Sequence, residues 1–475
     1  MLILAIDVGT HAVRAAIVDS ACGSVQLSHS LPVGLKRLDA RHIEQDPREI
    51  LTAAQTVLQQ VLSQAEDTDL MPVKAALATQ RSTVLAWDRH SGAPLSAALS
   101  WQDTRAHEQV HQLHPYSADI KRRSGLVLSP HYGASKLHWL LETLGSNWQA
   151  DDVCLSPLVS FLLFNLLRDH PCVCDESNAG RTQLLNLHDR AWDNQLCELF
   201  AVPSDFLPSL RPVQSDYGQL LIGNLPLTAV CGDQNAAFFA FAHGSGGGRA
   251  LVNAGSGAFV LSAHNGGVPA AGELLVGVYR SDYDSVDFVI EGTVNGAGTA
   301  LDWCFEQRAE NDNLSLAEFY RLLPQWLLQV SHPPLFLNSI GGLGSPWWKP
   351  GAPPVFVAAD SRKPLGLPEQ ACAVVESIVF LLCANIRLMQ QYQPDLHELV
   401  VTGGIARLDN FCQKLANLSR LVAVRPAEME ATVVGAAALA TGVVSRAQMT
   451  ETRFEPEADE LLQQRFDQFL VRISA

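Results

Sequence analysis

Three short runs in this 475-residue chain set glycine beside small or acidic residues directly after an apolar stretch. Asp7-Val-Gly9-Thr10 follows the run 2–6, Gly255-Ser256-Gly257 follows 250–253, and Gly403-Gly404 follows 399–402. Glycine lets backbone amides approach a phosphate closely, a Thr or Ser hydroxyl donates to phosphate oxygens, and an aspartate at a strand end can hold a hydrated Mg²⁺. Each run alone is equally an ordinary tight turn, so their combination carries the reading: three such turns could converge on one nucleotide. A fourth run, Cys231-Gly-Asp233-Gln234-Asn235, places a carboxylate between a glycine and an amide after the apolar 227–230. That carboxylate suits a general base taking a proton from a hydroxyl, with the amide orienting the hydroxyl. It equally suits an Asx-turn or the cap of a helix over 236–242.

Two further constellations are weaker. His107-Glu108-Gln-Val-His111, with His114 after it, satisfies HExxH, in which two imidazoles one helical turn apart bind zinc. The segment is strongly polar and lacks a metzincin-type glycine, so it reads first as the solvated face of a helix starting after 105. The ten cysteines are scattered, with one close pair at Cys172 and Cys174, as expected of small core residues in a reducing compartment. Neither GxxxxGK[ST] nor GxGxxG occurs.

The elements that must position these residues follow from periodicity. The apolar runs 2–6 and 12–18, separated by the Asp7–Thr10 turn, read as a hairpin, and 250–261 repeats the pattern. The third glycine turn opens instead into a helical pattern, with Phe411, Leu415 and Leu418 at i, i+4, i+7. Each half of the chain thus begins with a strand–turn–strand unit, a hint of structural duplication. The linker-like Gly244-Ser-Gly-Gly-Gly248 divides the chain into domains 1–244 and 245–475. Helical patterns at 47–64, 135–142, 374–390 and 432–442 alternate with short apolar strands, which is α/β architecture. The stretches 155–167 and 371–386 read as buried helices, and the acidic tail after Thr450 as a solvated one.

Composition narrows the partners. With 49 Asp+Glu against 33 Lys+Arg, a net charge of −16 and 47% hydrophobic residues, the chain reads as a soluble protein of several domains. The acidic balance argues against nucleic acid, and the amino terminus lacks the basic region of a signal peptide. No stretch of about 18 uninterrupted apolar residues suggests a membrane span.

Taken in order, these runs resemble the FGGY family of carbohydrate kinases, within the actin/hexokinase/Hsp70-like ATPase superfamily. The resemblance extends from Asp7 to about Gly442 and includes Gln80-Arg81-Ser-Thr, Ser100-Trp-Gln-Asp-Thr-Arg105, Ser135-Lys-Leu-His-Trp139, Asp175-Glu-Ser-Asn-Ala-Gly-Arg181-Thr182, Glu291-Gly-Thr-Val-Asn-Gly-Ala-Gly298 and Thr432-Val-Val-Gly435. It implies two ribonuclease-H-like domains with a cleft between them, ATP and Mg²⁺ mostly on the C-terminal side and a small sugar or polyol mostly on the N-terminal side. Asp233 matches the family's catalytic base. Asp7 would hold Mg²⁺ through water, while Thr10, His11, Arg14 and Ser256 would line the phosphates, and Gly298, Gly403 and Gly404 would border the adenosine. A cytoplasmic setting and a homodimer are compatible with the resemblance.

Within the family, Gln80-Arg81, 101–105 and Gly232-Asp233-Gln234 are most similar to the glycerol kinase branch. There the polyol is held by an Arg-Glu pair, a Tyr and an Asp-Gln pair. Arg81, Asp233 and Gln234 match, but Ser82 stands at the Glu position and His131 at the Tyr position. Losing a carboxylate and a phenol from the wall points away from glycerol toward a larger polyol or a ketose. His11 and Ala12 likewise replace hydroxyl residues in the first phosphate turn. These departures sustain a second expectation: a catalytically degraded homologue that binds sugar in a regulatory role.

Overall fold

The computed structural model describes residues 1–145, 148–241, 248–264, 266–308, 314–357, 365–427, 430–442 and 451–474. In the first sheet β1 (Leu2–Val8), β2 (Ala12–Asp19) and β3 (Ser24–Pro32) form an antiparallel meander. On the other side of β1, β4 (Lys74–Thr79) runs parallel to it and β5 (Pro226–Gly232) runs parallel to β4. The second sheet repeats the plan: β6 (Arg249–Ala254), β7 (Ala258–His264) and β8 (Val286–Val294) alternate in direction. β9 (Glu398–Thr402) then lies parallel to β6, and β10 (Val422–Pro426) parallel to β9. The expected duplication is therefore present, as two ribonuclease-H-like sheets in an α/β fold.

The inner strands are apolar throughout because helices cover both their faces; Ile3 to Ile6 and Leu251 to Val252 are fully buried. α1 (Pro47–Asp67) starts where Asp46 accepts from the Arg48 N–H and Pro47 presets φ. It buries Ile50, Ala54, Val57, Leu58 and Val61, one stripe at helical spacing, and packs on β2 and β3. α2 (Gly133–Leu144) covers the smaller sheet formed around Val84–Asp88 and Val153–Pro157.

Two helices cross between the halves. α3 (Asp233–Phe241) continues from β5 and reaches β6, while α7 (Ala431–Thr441), from the second half of the chain, packs on β1 and β4 of the first sheet. A Cβ at Gly435 would lie 1.7 Å from the carbonyl oxygen of Ala236, so the two backbones meet where only glycine fits.

α4 (Gly298–Glu306), α5 (Leu367–Tyr392), α6 (Asp409–Ser419) and α8 (Glu460–Ser474) flank the second sheet. α5 is long and apolar enough to cross a membrane, yet its apolar window is mostly buried in the fold, making it a core helix. Two expectations are corrected. The segment 155–167 is not one helix: Val153–Pro157 is a strand, and Pro157 ends it so that the helix spans only Leu158–Leu166. The acidic tail is not merely solvated either. Glu451–Phe454 pairs with β10, and α8 buries Leu462, Phe466, Phe469 and Ile473, with Phe466 and Phe469 against Phe380. Its charges occupy the other face, and composition hid the stripe. The link at 244–248, and with it the division at 244/245, lies outside the described residues apart from Gly248.

Candidate active site

The turn after β1 is closed by the Gly9 N–H donating to the Ala12 carbonyl at 3.0 Å. Strand register sets Asp7 opposite Arg14. Thr10 Oγ1 donates to Gln80 Oε1 at 3.3 Å and accepts from Trp101 Nε1 at 3.0 Å, so its hydroxyl is already anchored. His11 is exposed, and Arg14 is ion-paired to Glu430 just before α7.

The glycine turns of the second half abut one another. The Gly298 N–H, at the start of α4, donates to the Gly255 carbonyl at 2.9 Å, and a Cβ on Gly298 would sit 2.8 Å from that oxygen. Gly403 has φ +91° and passes so near β6 that a Cβ would lie 2.4 Å from the Ala254 carbonyl oxygen. Ser256 and Gly404 are exposed beside them. Small residues thus bring two loops together at the start of α4, where the Gly298 and Thr299 N–H groups donate to the carbonyls of Gly255 and Ser256.

Asp233 opens α3, its Oδ1 accepting from the Gln234 N–H at 2.7 Å and lying 3.8 Å from Arg81 Nε. Burial raises its pKa above the ordinary carboxylate range, and Arg81 opposes the rise. Asp7 is lifted to about 7, by burial first and then by the charge of Asp233, against the pull of Arg14. The two carboxylates are therefore close enough for their charges to interact, and Asp7 Oδ1 is buried without a hydrogen-bond partner. The Gln234 Oε1 accepts from Asn253 Nδ2 at 2.9 Å and ties α3 to β6.

Around Arg81 the structure assembles residues that sequence reasoning did not assign to the site. Glu291 of β8 is 1% exposed and receives Arg81 at 2.7 and 3.2 Å and Arg181 at 3.1 and 3.4 Å. The Tyr132 ring faces Arg181, and the Phe259 ring lies 5.7 Å from the Arg81 guanidinium carbon. The signal available for Glu291 was a carboxylate set directly after the buried apolar run Phe288–Ile290 of β8. Ser82 is buried with φ +63°, its Oγ directed to the Arg181 carbonyl at 3.4 Å. His131 Nδ1 donates to the Trp101 carbonyl at 3.2 Å; a carbonyl can only accept, which leaves Nε2 as an acceptor.

The HExxH residues form a six-residue helix, His107–Gln112, where His107 Nε2 accepts from Arg41 at 2.7 Å. Among the described residues no three His, Cys, Asp or Glu side chains are grouped to hold a metal ion. All ten cysteines are free thiols.

Two duplicated sheets joined by crossing helices, with facing glycine turns and a half-buried aspartate at a helix start, define a two-domain ATPase of the actin-like fold. Residues 2–239 match the FGGY family of carbohydrate kinases, N-terminal domain, and residues 250–442 its C-terminal domain; the chain belongs to this family. It is 30% identical to the glycerol kinase of Citrifermentans bemidjiense over 96% of this chain and 94% of that protein. It is similarly 30% identical to the glycerol kinase of Thermococcus onnurineus, over 92% of this chain and 88% of that protein. The fold superposes on Plasmodium falciparum glycerol kinase with ADP (TM-score 0.85, 22% identity, 100% and 98% of the two chains). It also superposes on xylulose kinase from Lactobacillus acidophilus (TM-score 0.82, 19% identity, 99% and 97%). The chain is accordingly an ATP-dependent carbohydrate kinase acting on a sugar or polyol.

Proposed function

We propose that the enzyme transfers the γ-phosphate of ATP to a primary hydroxyl of a polyol or ketose larger than glycerol, with Asp233 as general base. The observation that carries this reading is the placement of Asp233: half-buried at the start of α3, 3.8 Å from Arg81 on the polyol side and close enough to Asp7 on the phosphate side to interact with its charge. Asp233 takes the proton as the hydroxyl oxygen attacks the γ-phosphorus, and ADP leaves with the electron pair of the broken bond. Phosphoryl transfer asks mainly for positioning and charge neutralisation, to which Arg81 and the close backbone approach that the glycine turns allow both contribute.

Two carboxylates with an unpartnered buried oxygen fit Mg²⁺, which takes one or two carboxylates, waters and substrate phosphates. Asp7 would hold it, with Asp233 close by, and when bound it would neutralise phosphate charge. Thr10, His11, Arg14 and Ser256 are taken as phosphate-side residues, Gly298, Gly403 and Gly404 as the adenosine border, and Arg81, Ser82, His131 and Gln234 as the acceptor side. Ser82 and the acceptor nitrogen of His131 support the larger acceptor, because neither presents the carboxylate or phenol of the glycerol-binding wall. Residues 1–244 and 245–475 are proposed as the two functional halves, in a cytoplasmic enzyme.

The test is coupled ADP release across glycerol, tetritols, pentitols and ketopentoses, with wild-type protein and Asp233→Ala. The expected result is turnover with one larger acceptor, and kcat lowered by roughly 10²–10⁴ in the variant while ATP still binds. Full turnover by Asp233→Ala would falsify the base assignment. Thermal stabilisation by an acceptor without ADP release would select the binding-protein reading instead.

A further inference from the structure

One buried ammonium links three segments beside the acceptor site. Lys136, in the first turn of α2, is 0% exposed. Its Nζ donates to the carbonyls of Ser82 at 2.8 Å, Ser100 at 2.8 Å and His131 at 2.9 Å. An ammonium has three N–H donors, and all three are engaged by oxygens that can only accept. Two of the carbonyls belong to, or adjoin, side chains on the acceptor side, Arg81 with Ser82 and His131; the third, of Ser100, precedes Trp101, whose own carbonyl accepts from His131.

These segments come from separate parts of the chain and are joined here through one atom. Ser82 sits in the left-handed region, which a non-glycine residue keeps only where its surroundings over-determine it. The Lys136 bond to its carbonyl is one such constraint. Burial pulls the Lys136 ammonium down to about 7, opposed by the charge of Asp103 and reinforced by Arg105. Burying a cation in this way costs free energy that aliphatic packing would not, so three directed hydrogen bonds are what the position gains in return.

We propose that Lys136 is a positioning residue: by holding the 82, 100 and 131 carbonyls in one arrangement it fixes the backbone that carries Arg81, Ser82 and His131, and so sets acceptor affinity and selectivity without touching the acceptor. This rests on the kinase reading above. A purely structural lysine would govern melting temperature and the fraction of active protein, moving apparent kcat and leaving acceptor KM alone. A positioning lysine moves acceptor KM and acceptor Kd while ATP KM stays.

The experiment compares wild type, Lys136→Met and Lys136→Arg by coupled ADP release with the acceptor found in the panel, and by calorimetric titration of that acceptor without ATP. Misplacing a binding group by about 1 Å can cost on the order of 10²-fold. Lys136→Met is therefore expected to raise acceptor KM and Kd roughly 10- to 100-fold with ATP KM within about twofold. Lys136→Arg keeps the charge, but a planar fork cannot serve three carbonyls placed around an ammonium, so a smaller rise of about three- to tenfold is expected. Should Lys136→Met not fold, the same split between acceptor and ATP in Lys136→Arg decides the question. Unchanged acceptor constants, or parallel loss for acceptor and ATP, overturn the proposal. Acceptor binding without ADP release would refute the kinase reading and leave the Kd comparison decisive; neither binding nor turnover by wild type with any panel member overturns both.

Discussion

Replacing Glu291 by Gln removes one negative charge from between two buried guanidinium groups while keeping the volume nearly constant. Glu291 is 1% exposed, and Arg81 and Arg181 are each 7% exposed, so water cannot take over the lost pairing. Arg81 retains a second carboxylate, Asp233, at 3.8 Å; Arg181 keeps the Tyr132 ring, centred 5.2 Å away. Most of the loss therefore falls on Arg181. Breaking a buried pair from one side costs about 3–5 kcal/mol, and the partial rescue of Arg81 argues for the lower end, about 3 kcal/mol. At about 2–4 °C per kcal/mol for a domain of 150–250 residues, the melting temperature should fall by roughly 6–12 °C. Burial would lift the Glu291 pKa, but Arg181 and Arg81 outweigh it and hold it below the ordinary glutamate value. A depressed carboxylate contributes stability above its unfolded pKa of about 4.3 and loses it as pH falls through the folded value, so the gap between variant and wild type should shrink in acid. The assay is thermal unfolding of both proteins from neutral to acid pH, together with Arg181→Met in the Glu291→Gln background. Removing the stranded charge should recover part of the loss. A Glu291→Gln protein melting within about 2 °C of wild type, or further destabilised by Arg181→Met, would refute the reasoning.

Further outcomes follow from the same geometry. Asp7 is raised to about 7, above its unfolded value, so its ionisation opposes folding as pH rises from about 4 through 7. Asp7→Asn should raise the melting temperature of the nucleotide-free protein more at pH 8 than at pH 5 while weakening Mg²⁺-dependent turnover; equal shifts at both pH values would contradict the assignment. Gly435→Ala puts a Cβ 1.7 Å from a backbone oxygen of α3, so the loss of stability should reach or exceed the roughly 1–3 kcal/mol of ordinary overpacking, read by denaturant unfolding. Gly403→Ala places a Cβ 2.4 Å from the Ala254 carbonyl at φ +91°, and should weaken ATP binding more than acceptor binding in paired KM measurements.

How far the sequence led depended on the distance over which each feature is determined. The hairpin of β1 and β2, the repeat at β6 and β7, and helices α1, α5, α6 and α7 are written in local periodicity, and each appears where its spacing placed it. Among the described residues the second-half glycine turns also lie against one another, because Gly298 and Gly403 are small for one shared reason: the close approach of their backbones to the Gly255 and Ala254 carbonyls. Position 155–167 misled because a strand and a helix covered on all sides present the same unbroken apolar run, and only Pro157 separates them.

The site itself was less accessible, and the reason is topological. Glu291 stands 210 residues from Arg81 and 110 from Arg181, and no local pattern announces a pairing over such separations. Family resemblance marked Arg81 as an acceptor ligand, yet the structure commits that guanidinium to Glu291, Asn235 and the neighbourhood of Asp233 at once. Its role is therefore double: any acceptor it contacts meets a cation whose orientation is fixed by a carboxylate from the other half of the chain. Gln234 is tied in the same way, its Oε1 accepting from Asn253 across the seam. Both ties place interdomain bonds on residues adjoining the proposed base. The geometry that holds Asp233 is consequently a property of the two halves together, and a change confined to either half, such as Glu291→Gln, should be felt at the hydroxyl being deprotonated as well as in the stability of the fold.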